Sequence, residues 1–387
     1  MSADAGRVEL RLSLAAGRVA RADVAVKRPV GAVRALAGRP VAEALRLVPL
    51  LFAVCGTAQG VAAVSACEAA MGVEPSPPQA AARALLALAE QAQSHAWHAL
   101  VDGPRLLGEP VDAAGLARLR KAFDGMTRAL RAEPGWLRPG GGPIAPDRAA
   151  LAAAIDGAEQ ALFAAVFGGE PPADPDQLTA WTTAGATAAA RLAARMLRDG
   201  SFGGAGVEPL PDLPAAWFAE RLSTDPGFAE RPTLDGRPAV TGPLARCGMP
   251  DGNGLAAHAA ARLAEIAALP GRLRALLPDL TDDAGRAAPD AVDGSGAGVV
   301  ETARGRLAHR VRLERGRVAD FRSVAPTEWN FHPDGALARG LTGAEAGPGL
   351  EERVRLLVMA LDPCVPWTLE IGTLAIGTPG AVGVHHA

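Results

Sequence analysis

Two isolated cysteines give the first hint of chemistry. Cys55 stands in FAVCGTAQG (residues 52–60), between an apolar run and a small, polar stretch; Cys364 stands in LDPCVPWTLE (residues 361–370), directly after Asp-Pro. Thiolates are soft donors suited to iron, copper or zinc. A lone cysteine more often fills core space as a small hydrophobe, so context decides. Cys55 precedes Gly56 at an expected turn-to-helix junction, where free backbone N–H groups favour a thiolate. Cys364 follows the end of an expected helix. Two thiols far apart in the chain, each at such a junction, are what a convergent site requires. Cys67 and Cys247 have no such setting and read as core.

Other constellations carry less. His95 and His98 lie three apart in SHAWHAL, a spacing open to a metal pair, but they read as core or interface histidines. Gly140 to Gly142 is followed by no Lys-Ser/Thr and so is no phosphate loop. There is no Gly-x-Ser-x-Gly elbow, which leaves a serine hydrolase without support. His385 and His386 read as incidental.

The elements that must position the two thiols come next. The 387 residues carry a net charge of −3, only 4% aromatics and no Tyr, a balance unsuited to nucleic acid as the main partner. Four scattered cysteines make no disulfide framework. No charged, apolar leader opens the sequence, and a cytoplasmic setting is expected. Leu47 to Cys67 is a stretch of 21 residues without a charge, long enough to span a bilayer. Pro49, Thr57, Gln59 and Ser65 interrupt it, and a buried turn entering a buried helix fits better than a membrane span. Alternation over 8–26 and 309–324, around Ala-Gly and Arg-Gly, predicts two β-hairpins. Apolar spacing predicts helices over 78–101, 112–132, 149–167, 176–198, 254–276 and 349–361, with Asp147 and Asp283 as start or turn residues. The polar, Gly-rich stretch 281–298 reads as a mobile loop. The expected architecture is one mostly helical α+β domain over 1–387, with a hairpin near the start and another in the C-terminal half.

A series of strings, in order, gives the sequence a resemblance. Gly38, Arg39 and Pro40 loosely match a Gly-Arg-x-Pro. Glu68, followed by EAAMGV, fixes a register on Arg-x-Cys-Gly-x-Cys-x-x-x-His plus a downstream Glu. GPLAR stands at 242–246, ETARGRLAH at 301–309 and VAPTEWN at 324–330, and DPCVPWTLE answers Asp-Pro-Cys-x-x-Cys-x-x-His. Together they resemble the large subunit of nickel–iron hydrogenases, shortened in the middle.

The resemblance implies a fold and a degenerate site. In those enzymes four thiolates hold nickel and iron. Here Phe52 stands for the first Cys, Leu50 for the Arg and Gln59 for the His of the first motif. Trp367 and Glu370 stand for the second Cys and the His of the last. Val33 falls where the family has a proton-accepting Glu. The resemblance therefore implies no nickel and no hydrogen turnover. What it retains is the surround of an iron bearing cyanide and carbonyl ligands: Arg304 and Thr327 as donors to cyanide, Leu307 against the carbonyl, and Pro326 beside them. An acceptor-rich anionic ligand needs a fixed cation and a hydroxyl, and carbon monoxide prefers an apolar wall. This pattern looks like the shrunken large subunits among hydrogenase accessory proteins, the HupK/HoxV type. It implies a maturation scaffold, not an enzyme, that holds the iron–cyanide–carbonyl unit on Cys55 and Cys364 before passing it to the hydrogenase large subunit. The expected partners are that subunit and maturation chaperones. A metal-free mimic that binds chaperones or subunits is the alternative, and an active hydrogenase a weaker one.

Overall fold

The computed structural model describes residues 6–27, 35–52, 54–132, 135–248, 252–289 and 291–373, with the backbone of 383–386. Val33 lies outside the described residues, as do the side chains of His385 and His386.

Both expected hairpins form. Strands β1 (Arg7–Ala15) and β2 (Arg18–Lys27) turn at Ala16 and Gly17, whose φ angles are 49° and 73°. Two left-handed residues in a two-residue loop match the right-handed twist of paired strands. A short parallel pair, β3 (Glu208–Pro209) and β4 (Ala239–Val240), follows. Strands β5 (Gly294–Thr302), β6 (Gly305–Glu314) and β7 (Arg317–Val324) then make an antiparallel meander. Its second turn uses Arg315 and Gly316, again both left-handed. Strand β8 (Trp367–Thr373) lies parallel to β1, Leu369 opposite Leu10, and its other edge pairs with β9 (Gly383–His386).

The main helices are α1 (Val41–Leu51), α2 (Gly56–Met71), α3 (Pro77–Trp97), α4 (Ala113–Leu130), α5 (Arg148–Val166), α6 (Leu255–Ala275), α7 (Pro326–Asn330) and α8 (Leu350–Leu361). Asp147 caps α5 by accepting the Ala150 N–H at 3.0 Å. Leu85, Phe123, Met126, Ile155 and Leu269 join α3 to α6 in one apolar core. Leu10, Leu12, Leu357 and Leu369 bind α8 to the β1–β8 face in another.

Two expectations change. The helix expected over 176–198 is two helices, Pro175–Ala184 and Ala188–Arg198. Gly185 ends the first in the left-handed region, and the Thr187 hydroxyl caps the second. The mobile loop expected over 281–298 is in part strand β5. Its glycines serve close packing: a Cβ on Gly298 would sit 2.2 Å from the Ala62 carbonyl of α2. Earlier in that stretch, Asp283 exchanges backbone hydrogen bonds with Ile144. The uncharged run 47–67 divides between α1 and α2, joined through Phe52–Cys55, so it is not one straight span. Among the described helices, α5 alone is long and apolar enough to cross a membrane, and its Leu151, Ile155 and Leu162 face is buried in the core.

Candidate functional site

Cys55 is the residue that opens α2. Its carbonyl accepts the Gln59 N–H at 2.9 Å, while its thiol accepts from the Gln59 side-chain amide at 3.4 Å. The expected thiolate at a free helix end is not what forms. The Thr57 and Ala58 N–H groups are taken by the Glu90 carboxylate of α3, at 2.7 and 2.9 Å. Burial, then the neighbouring Cys364, pushes the Cys55 thiol up to about 12. In the metal-free chain at neutral pH, Cys55 is therefore a thiol.

Cys364 is set differently. Asp362 ends α8 in the left-handed region (φ 53°) and directs the chain through Pro363 to the cysteine. The Thr327 hydroxyl lies 3.0 Å from the Cys364 sulfur and accepts the Cys364 N–H at 3.3 Å. Pro326 opens α7 and is buried, so Thr327 sits in that helix's first turn, only 2% exposed.

Arg304 is buried and near enough to both sulfurs to couple to a thiolate at either one, after its stronger coupling to Asp362. Its Nε donates to Asp362 at 3.1 Å and one Nη donates to Ser94 of α3 at 3.0 Å. The tight turn that delivers it needs Gly305 (φ 129°), where a Cβ would meet Thr241 at 2.4 Å. Asn330 then fastens the turn to the Cys364 segment, donating to both the Arg304 and Leu361 carbonyls at 3.3 Å. Asp362 is shared by Arg304 and Arg262, the latter at 3.2 Å. Burial would raise that carboxyl, but the two guanidiniums outweigh it and hold it at about 2. Leu307 is fully buried against Ala58, Ala62 and Ala325, an apolar wall along the first turns of α2.

The sequence-predicted residues thus converge: Cys55, Cys364, Arg304, Leu307, Pro326 and Thr327 belong to one neighbourhood. Phe52 does not join it through polar contact; its ring centre is 6.4 Å from that of His309. Trp367 begins β8 opposite Val8, and Glu370 pairs outward with Arg11 at 2.8 Å. Cys67 is buried core and Cys247 is exposed. His95 and His98 are structural: His95 Nε2 lies 3.0 Å from Glu265, His98 Nε2 lies 3.2 Å from the Met359 carbonyl, and burial lowers both pKa values. Gly140 gives its N–H to the buried Glu68 carboxylate, which pairs with Arg83. Sequence reasoning missed Glu90, Ser94, Arg262 and Asn330, and gave Asp362 no task. The available signal was the four-residue spacing of Glu90 and Ser94, which puts both on one face of α3.

A model of the nickel-dependent hydrogenase family matches residues 280–346, the segment holding ETARGRLAH and VAPTEWN. The hydrogenase expression/formation protein HupK of Bradyrhizobium diazoefficiens is 31% identical, over 90% of this chain and 92% of the relative. HoxV of Cupriavidus necator, also named an expression/formation protein, is 33% identical over 93% and 95%. Among solved structures, the Ni-Fe-Se hydrogenase of D. vulgaris Hildenborough superposes with a TM-score of 0.67 at 17% identity, covering 93% of this chain and 98% of that one. The enzyme of Desulfomicrobium baculatum gives 0.67 at 17%, covering 91% and 95%. Those likenesses establish the fold, and the longer sequence matches establish the kinship: the chain belongs to the HupK/HoxV family of hydrogenase expression/formation proteins, built on the large-subunit fold of nickel–iron hydrogenases.

Proposed function

We propose that this protein is a maturation scaffold that receives an iron carrying cyanide and carbonyl ligands on Cys55 and Cys364, then yields it to a hydrogenase large subunit. The iron unit is cargo. One observation carries the reading: two thiols from distant segments share a site with a buried guanidinium, a hydroxyl and an apolar wall. The donor set fits such a unit. Two thiolates and three diatomic ligands leave an octahedral iron one position for exchange. Arg304 and Thr327 supply donors where cyanide nitrogens need them, and Leu307 walls off the carbonyl. The reading includes no nickel, because Phe52 and Trp367 bring no thiolate, and no hydrogenase activity. It places the protein in the cytoplasm as one domain over 1–387, with maturation chaperones and the large subunit as partners.

A second reading draws on Leu50 and Val54, which flank Phe52 and are 75% and 53% exposed. It is a metal-free large-subunit mimic that docks chaperones or subunits through that apolar edge. Infrared spectroscopy of protein purified without oxygen from a host with an intact maturation system separates the two. The scaffold shows carbonyl and cyanide stretching bands with iron and without stoichiometric nickel; a spectrum without those bands supports the mimic.

A further inference from the structure

The polar face of α3 brings two opposed groups to the site. Ser94 accepts a hydrogen bond from Arg304, the cation expected to attract an anionic ligand. One turn earlier, Glu90 places a carboxylate on the first free amides of α2, Thr57 and Ala58, immediately after Cys55. A helix N-terminus is where negative charge is best accommodated. In this chain that place is filled from within, by a carboxylate held by two direct hydrogen bonds. Ala58 also lines the Leu307 wall, so Glu90 grips the turn that both carries the thiol and borders the ligand space. A further sign that a ligand belongs here is Gln59. It is 3% exposed, its amide nitrogen meets the Cys55 sulfur, and its amide oxygen has no hydrogen-bond partner among the described residues.

We propose that Glu90 sets release: by occupying the α2 amides with its own charge, it keeps that helix end from holding negative charge at Cys55, so an anionic iron unit is bound but not retained. This deepens the scaffold reading and rests on it for the identity of the cargo. Glutamine in its place would keep one acceptor oxygen for these amides and turn an N–H donor toward the other, so it removes the charge and one of the two anchoring bonds. The carboxylate adds repulsion toward a thiolate-bound, cyanide-bearing ligand, against the attraction of Arg304. Burial pushes the Glu90 carboxyl up, while the two amide bonds and the nearby Arg304 favour its ionised form.

The test uses the full chain in two forms. In the metal-free protein, Cys55 is alkylated at one pH with iodoacetate, an anion, and with iodoacetamide, its neutral analogue, and the product is resolved from the other cysteines by mass spectrometry. The ratio of the two rates reads local charge, because the thiolate fraction and any loosening of the loop act on both reagents alike. Glu90→Gln should raise that ratio roughly fivefold or more, as removal of a nearby negative charge in a partly dry site requires. In cargo-loaded protein, Glu90→Gln should lose its infrared bands to an iron chelator roughly tenfold more slowly than wild type. A purely anchoring Glu90 gives the opposite sign, faster loss, and an unchanged alkylation ratio; either result overturns the proposal. If wild type carries no bands, the cargo reading fails on its own, and the alkylation ratio still decides whether Glu90 withholds the helix end from anions.

Discussion

The two cysteines are held by opposite kinds of chemistry. Around Cys55 the contacts are backbone and amide: a helix start, the Gln59 side chain, and a carboxylate that has taken the helix amides. Around Cys364 they are side-chain hydroxyl and ion pair: Thr327 at the sulfur, and Asp362 clamped by two arginines two residues earlier. The first arrangement keeps a thiol protonated until something displaces the proton. The second fixes a geometry through charge and tolerates little movement. Under the proposed scaffold reading, a site that accepts and then surrenders its cargo gains from that division, with one firm side and one yielding side.

The sharpest way to break the comparison is to remove each sulfur. Cys55→Ala and Cys364→Ala are each expected to abolish the carbonyl and cyanide bands and hydrogenase maturation, with the chain still folded by circular dichroism. Removing one sulfur falls below the roughly 2–5 kcal/mol of a large-to-small core change. Cys67→Ala and Cys247→Ala should leave maturation at the wild-type level. Full maturation by either site variant would remove the thiols from the site.

Next in size is the clamp. Asp362→Asn leaves Arg304 and Arg262 without their shared counter-charge, and loss of one partner of a buried pair costs about 3–5 kcal/mol. Urea unfolding measures it. The pH dependence has a definite sign. The folded carboxyl titrates at about 2, below an unfolded value of roughly 3.9. Its stabilisation is therefore complete above about pH 4 and is lost as pH falls through the folded pKa. Asp362→Asn should flatten acid destabilisation in that window; an unchanged acid limb would show that the pair contributes little.

The smallest change distinguishes the donors. Thr327→Val keeps shape but removes the hydroxyl, and should lower stability by about 1 kcal/mol. Gln59→Leu removes the amide donor to the Cys55 sulfur. A thiolate without a hydrogen bond donates more electron density to iron, so Gln59→Leu should move the carbonyl band to lower wavenumber. Equal spectra for wild type and Gln59→Leu would mean that the amide does not reach the bound sulfur.

Much of this was legible in the residues themselves. Alternation and Ala-Gly or Arg-Gly turns located both hairpins, because a two-residue loop with left-handed backbone has few substitutes. The strings carrying Cys55, Arg304, Leu307, Pro326, Thr327 and Cys364 identified the residues that the fold gathers. Composition misled where glycine served contact: Gly294, Gly296 and Gly298 let β5 approach the backbone of α2, a role no local pattern distinguishes from flexibility. Tertiary partners were hidden for the same reason. Glu90 is an ordinary helix-surface glutamate in sequence, and only the packing of α3 across α2 brings it to the Thr57 amide, 33 residues away along the chain.

The parallel seam between β1 and β8 carries a temporal implication. Arg11 and Glu370, neighbours across it, are separated by 359 residues of chain. Closing so long a loop is entropically unfavourable and comes late in folding. On a ribosome, β1 is made early and lacks that neighbour until the Trp367–Thr373 strand emerges. Cys364, just ahead of β8, reaches its place only when nearly all of the described chain is available. Until then Cys55 is a single thiol without its counterpart, and the site cannot engage a ligand through both sulfurs. Under the proposed scaffold reading, the seam ties two-sulfur binding of the cargo to a nearly finished chain.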